Sequence, residues 1–416
     1  MKRRAAVAFI LALLSSSSLA QEEGERLFNG IDGIQGRVAI GGTPAIQPLA
    51  KFACRSCHQR DGSGGPEANA PSITWDVLSQ PTALRPAYDA KSFRLALAEG
   101  RRADGSELDL AMPRYTLPDE SLASLIDYLT ELPAFQRHGI DAREVIFGIP
   151  IPPDNREPAL RFLALLHDQK IPATFGRNVR FVALEGSREA IIKQARDDVA
   201  SVVGLVPSNV LSTNDFARAD VPVLFPLALL EGDEDTTIIR GMIASRGEQL
   251  AQLVSRTADD GYSKPGIACF SEKPCLENVA AVSQDELLDG FDALIITGDD
   301  EEKALQLLAR LDPLTPIYAI AGELPGLAAA ARERRLSLTL VDGYLDLPST
   351  GLLESHARKT AALLAQALTW PGRSLTRSRL IAAFDRRGLP DYGLDYARYP
   401  LTGTASARFL HGSAKW

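Results

Sequence analysis

The sequence predicts a multidomain fold, with a small all-α domain followed by a larger α/β domain, and three observations predict it. The chain has 416 residues, too many for one ordinary hydrophobic core and suited to two. Up to about Arg137, helical stretches are separated by Gly- and Pro-rich loops. From about Arg143, short continuous apolar runs alternate with helical stretches, the pattern of buried strands in βαβ units. The boundary is placed between Gln136 and Arg143, giving a leader over 1–20, a first domain over 21–138 and a second over 143–416.

The leader is read from its own pattern. Lys2, Arg3 and Arg4 precede the apolar run Ala5–Leu14, and Ser18-Leu19-Ala20 offers small residues for cleavage before Gln21. That run is shorter than the roughly 20 apolar residues a membrane span needs. The chain is therefore expected to be exported to the periplasm, cut after Ala20, with no stable membrane insertion. Hydrophobic content of 45% and charged content of 24% exclude wholesale disorder. A formal charge of -8 argues against nucleic acid as a partner.

In the first domain, Glu22 to Phe28 predicts a short helix, and Gly30 to Pro48 follows as a Gly-rich stretch of little periodicity. Ala90 to Glu99 predicts a second helix, with Gly100 as its stop. Asp119 to Leu132 predicts a longer one, with Leu122, Leu125, Ile126 and Leu129 on one face and Pro133 as its end.

Four cysteines form two close pairs, and an even count in an exported chain fits an oxidising compartment. Cys54-Arg55-Ser56-Cys57-His58 is a C-x-x-C-H motif: two thiols spaced to meet the two vinyl groups of a porphyrin, followed by an imidazole able to reach its iron. The expected cofactor is one covalent haem c on Cys54 and Cys57, with His58 as an iron ligand. After the leader only Met112 and Met242 remain as thioethers. Met112, in the loop Ala111-Met112-Pro113, is the expected second axial ligand; Met242, in Ile239 to Ile243 on an expected helix, is read as a packing residue. Cys269 and Cys275 are expected to close a small loop as a disulfide.

Residues 24 to 132 resemble a class I monohaem cytochrome c. The resemblance rests on Gly24 and Phe28 in the first helix, Cys54 to His58, Met112, and Leu125 to Leu132 in the helix that crosses the first. It implies a proline carbonyl that accepts from the His58 ring, with Pro66 and Pro71 both eligible.

In the second domain the expected strands are Val145 to Ile149, Val179 to Leu184, Ser201 to Val206, Pro222 to Pro226, Gly266 to Phe270, Ala293 to Thr297, Ile317 to Ile320 and Leu338 to Val341. The expected helices are Pro158 to His167, Arg188 to Asp197, Arg240 to Arg256, Glu301 to Leu311 and Glu354 to Leu368. Their order resembles a type I periplasmic solute-binding protein of the branched-chain amino-acid group. That resemblance implies two lobes with a solute cleft between them. It does not carry ligand residues across, because Ile151-Pro152-Pro153-Asp154-Asn155-Arg156 lacks the small Ser/Gly turn of that group.

The functional expectation is a periplasmic electron carrier rather than an enzyme. Its partners would be periplasmic redox proteins such as a quinoprotein dehydrogenase or a terminal oxidase chain, and the second domain would dock it or sense a solute. The alternative is a solute-binding receptor whose affinity is tuned by redox state.

Overall fold

The computed structural model describes residues 22–30, 35–40, 43–48, 51–65, 69–271, 290–324, 326–343, 351–387 and 393–411. The leader and Pro66 lie outside the described residues. The chain divides into two compact units, one running to His138 and taking in Thr376–Ser378, the other containing Gly139–Leu375 and the residues from Arg379 onward.

The first unit is built on helix α1, residues 22–29. It is followed by a hairpin of β1 (Gln35–Ile40) and β2 (Thr43–Pro48), then by α2 (Cys54–His58), α3 (Trp75–Leu78), α4 (Ala90–Glu99) and α5 (Asp119–Phe135). The hairpin corrects the expectation of an all-α domain. The two strands pair antiparallel from Gln35 with Pro48 to Ile40 with Thr43. Helix α4 begins on an Asp89–Ser92 capping box and, as its sequence predicts, spans Ala90–Glu99 and stops at Gly100, which sits in the left-handed region. Helix α5 passes through Pro133, contrary to expectation. A proline this near the end removes only one late donor, Gln136 N still bonds Leu132 O at 2.9 Å, and Leu132 and Phe135 stay buried.

The core of this unit forms where α1 crosses α5. Leu27, Phe28, Tyr128, Leu129 and Leu132 are buried there, and the Phe28 and Tyr128 rings lie 5.4 Å apart. Gly24 makes the crossing close: a Cβ on it would lie 2.1 Å from the backbone oxygen of Ser124. Gly24→Ala is expected to cost this unit about 2 kcal/mol by overpacking, read as a lower urea midpoint, and an unchanged midpoint would refute the close crossing.

The second unit holds two five-stranded sheets. The first has order β4-β3-β5-β6-β7, all parallel, from β3 (Glu144–Pro150), β4 (Asn178–Leu184), β5 (Ser201–Val203), β6 (Val223–Leu224) and β7 (Ile239–Arg240). Helices α6 (Arg156–His167), α7 (Arg188–Asp198) and α8 (Thr213–Arg218) join its strands. The second sheet has order β12-β11-β10-β9-β8, from β8 (Pro265–Phe270), β9 (Ala293–Gly298), β10 (Ile317–Ile320), β11 (Leu338–Asp342) and β12 (Arg408–His411), with only β12 antiparallel. Helices α9 (Arg246–Asp259), α10 (Glu301–Arg310) and α11 (Leu327–Glu333) belong to that lobe, whereas α12 (Leu352–Thr369) packs back on α6. Helix α13 (Arg377–Arg387) adds Leu380, Ile381 and Phe384 to the first lobe's core. The chain thus passes between the lobes three times, over 241–245, between β11 and α12, and over 402–407.

The apolar runs all became strands, shortened where chemistry requires it. Pro222 to Pro226 contracts to Val223–Leu224 because a proline has no donor for the ladder and Phe225 turns to φ 52°. The expected helix Arg240 to Arg256 starts only at Arg246. Ile239 and Arg240 pair with β6 instead, and Ser245 caps the helix through Glu248. Met242 therefore lies between strand and helix, partly buried against the first lobe's core. Among the described residues no helix is long and apolar enough to cross a membrane.

Candidate functional site

Ligand sites in open α/β sheets form outside the carboxyl ends of the strands, above all where strand order reverses. In the first lobe that reversal lies between β3 and β5. The loops that leave them are bonded to each other: the Asp154 carboxylate accepts from Ser208 Oγ at 2.8 Å and from Asn209 N at 2.7 Å, and Asn155 donates to Pro207 O at 3.0 Å. Some loss of hydration works against the charge of the exposed Asp154, but the two donors win and hold it below the ordinary carboxylate range. These loops are thus tied together by hydrogen bonds between the protein's own groups.

The polar centre that the fold does assemble lies where the other strand ends of the two lobes approach. The β6–β7 loop of the first lobe reaches onto the second, where Leu229 packs against a core that includes Leu250 and Leu253. Its neighbour Leu230 accepts a 2.7 Å hydrogen bond from Arg246 N, the first residue of α9. The Arg246 side chain then meets two carboxylates. Nη1 lies 3.0 Å from Glu231 Oε2 of the same loop, and Nε lies 2.6 Å from Glu323 Oε1 just past β10. The second contact is ionic rather than a directed hydrogen bond. Glu323 also accepts from Thr297 Oγ1 at 2.7 Å, at the end of β9.

Exposure separates the partners: Arg246 is 12% exposed, Glu323 3% and Glu231 33%. Burial pushes the Glu323 carboxyl up. Arg246, Thr297 and a backbone amide pull it down, the charge of Glu231 adds to the upward shift, and the net direction is upward. The backbone behind Arg246 is fixed by the Ser245–Glu248 capping box, and Glu248 also accepts from Thr402 at 3.2 Å. None of Arg246, Glu231, Glu323 and Thr297 stood out in the sequence. They are far apart along the chain, and the only signal was position, just beyond a strand or at the start of a helix.

The residues that did stand out in the sequence sit in the first unit. Cys54 and Met112 are both partly buried against its core, and Cys57 is partly buried one helical turn from Cys54. Cys54 is pushed up to about 11, by burial first and then by the charge of Cys57, against a backbone hydrogen bond. His58 is buried, and its Nδ1 donates to Pro71 O at 2.7 Å, so of the two prolines the bond falls to Pro71. Burial lowers the His58 pKa, and the Pro71 carbonyl opposes that shift. Cys269 is half-buried on β8, while Cys275 lies outside the described residues.

No family model and no curated protein matches the chain. Solved structures do. A fatty acid ABC transporter substrate-binding protein from Thermomonospora curvata superposes with TM-score 0.50 at 12% identity, covering 66% of this chain and 90% of its own. A protein described as a possible leucine/isoleucine/valine-binding protein from Rhodopirellula baltica SH 1 gives 0.44 at 16%, covering 65% and 94%. An extracellular ligand-binding receptor from Verminephrobacter eiseniae gives 0.46 at 13%, covering 64% and 97%. The two-sheet α/β unit has the fold of type I periplasmic binding proteins.

These findings correct the cofactor expectation. The Thermomonospora curvata structure that superposes on 66% of this chain is described as a substrate-binding protein. Among the described residues no group of three or more His, Cys, Asp or Glu gathers that could hold a metal ion. The expectation of a covalent haem c on Cys54 and Cys57 is therefore not retained.

Proposed function

We propose that the chain is a solute receptor: exported by its leader, it holds a small organic molecule between the two lobes of residues 139–416 and presents it to a membrane transporter. One observation supports this above the rest. Arg246 and Glu323 from one lobe and Glu231 from the other converge at the carboxyl ends of strands from both sheets, where this fold class takes its ligands. Three chain passages between the lobes give such a site its hinge.

Thermal unfolding of the full chain against a broad panel of carboxylic acids, amino acids, amines and sugars tests the reading. A true solute at a hundredfold its Kd is expected to add about 2.7 kcal/mol to the stability of the two-lobed unit, saturably and without moving the first unit's transition. A panel in which nothing shifts that transition would count against a receptor.

A further inference from the structure

We propose that Arg246 is the residue that recognises a carboxylate on the solute, and that Glu231 occupies it in the solute-free protein as an internal stand-in for that carboxylate. The inference rests on the receptor reading and names the chemistry of its ligand.

The two acidic partners of Arg246 are not equivalent. Glu323 is almost fully enclosed and held from a second side by Thr297, so releasing it would strand a buried charge. Glu231 is a third exposed, on the loop between β6 and β7, and its carboxylate can return to water at small cost. An incoming carboxylate exchanged for Glu231 leaves the charge of the centre unchanged. An ammonium would have to settle beside the guanidinium against like-charge repulsion, and a neutral amide would forgo charge-assisted hydrogen bonds, which are roughly twice as strong as neutral ones. Arg246 is also prepared for the exchange. Its backbone is tied to Leu230 O, and the capping box fixes the first turn of α9, so little ordering remains to be done on binding.

The exchange also has a structural consequence. The Arg246–Glu231 pair joins the two lobes directly, and after exchange the solute itself would join them.

The test is isothermal calorimetry on the full chain with matched carboxylate, primary amide and amine probes on octyl and phenyl scaffolds, together with any solute the thermal panel finds. Carboxylate forms are expected to bind at least about tenfold more tightly than their amides or amines. Arg246→Gln is expected to remove that preference. Glu231→Gln, which takes away the internal competitor's charge, is expected to tighten carboxylate binding severalfold. A gain of affinity cannot come from misfolding, so E231Q decides the matter even if R246Q folds poorly. Carboxylate binding that is unchanged or weaker in E231Q overturns the proposal, as does a solute whose affinity ignores both substitutions or an amine preferred over its acid. In those cases the receptor reading survives; if no probe and no panel solute binds, that reading falls and this one with it.

Discussion

Replacing Gly204 with alanine is expected to destabilise the two-lobed unit by about 3 kcal/mol, the sum of a left-handed backbone that an L side chain resists and an overpacked core. Gly204 leaves β5 at φ 63°, and its N–H is bonded to Leu224 O at 3.0 Å, so the backbone cannot relax away. A Cβ there would lie 1.9 Å from Cε1 of Phe162, itself wholly buried on α6. The ring cannot withdraw, because Ile149, Leu166 and the α12 side chains pack around it in the same core. Urea unfolding should show the loss in the transition of this unit, with the other unit's transition in place. A loss under about 1 kcal/mol would mean that the β5–α6 contact is looser than described, since overpacking alone usually costs that much.

The second large effect is a pH dependence. His356, on α12, is buried against Phe162, and its Nε2 donates to Phe225 O at 2.8 Å. Burial lowers its pKa to about 4 from the ordinary 6.5; the Phe225 carbonyl resists the shift and Lys359 adds to it. As pH falls through 6.5, the unfolded chain takes up a proton that the folded chain refuses. The stability present above pH 6.5 is therefore expected to drain away until about pH 4, by about 3 kcal/mol in all, and to change no further from this group below it. Glu323 acts with the opposite sign, because its raised pKa makes the folded state the better proton acceptor as pH falls. The clean measurement is thus the difference between wild type and His356→Gln, which keeps a donor but cannot titrate. The variant's stability should be flatter between pH 6.5 and 4, and parallel profiles would show that His356 is not the group responsible.

Most of the α/β architecture was legible because buried parallel strands have to be apolar throughout. Ile317–Ile320 was delimited to the residue, and β3, β8 and β9 within one residue at each end. Misreadings came where local signals were outweighed or overlooked. Ser245 and Glu248 form a capping box that dates the start of α9, yet the apolar run at Ile239 drew the helix too far back. Ser212 and Asp215 make the same signature before α8, a helix too short to show periodicity. The interlobe centre was illegible for a different reason: Glu231, Arg246, Thr297 and Glu323 carry no mutual spacing that a sequence could display. Only the lobes bring them together. The C-x-x-C-H segment had the opposite character, conspicuous as a string but not sufficient to establish a cofactor.

The triple passage between lobes also bears on how this polypeptide reaches its native state. The first lobe cannot close its core until α12 exists to lie on α6 and α13 to fill that core, and the second lacks an edge strand until β12 pairs with β11, far along the chain. Contacts so distant in sequence impose a large entropic toll on assembly before any of them stabilises it. The smaller unit, knitted mainly from residues 22–138, should refold first after dilution from denaturant, with the two lobes following together in a slower phase.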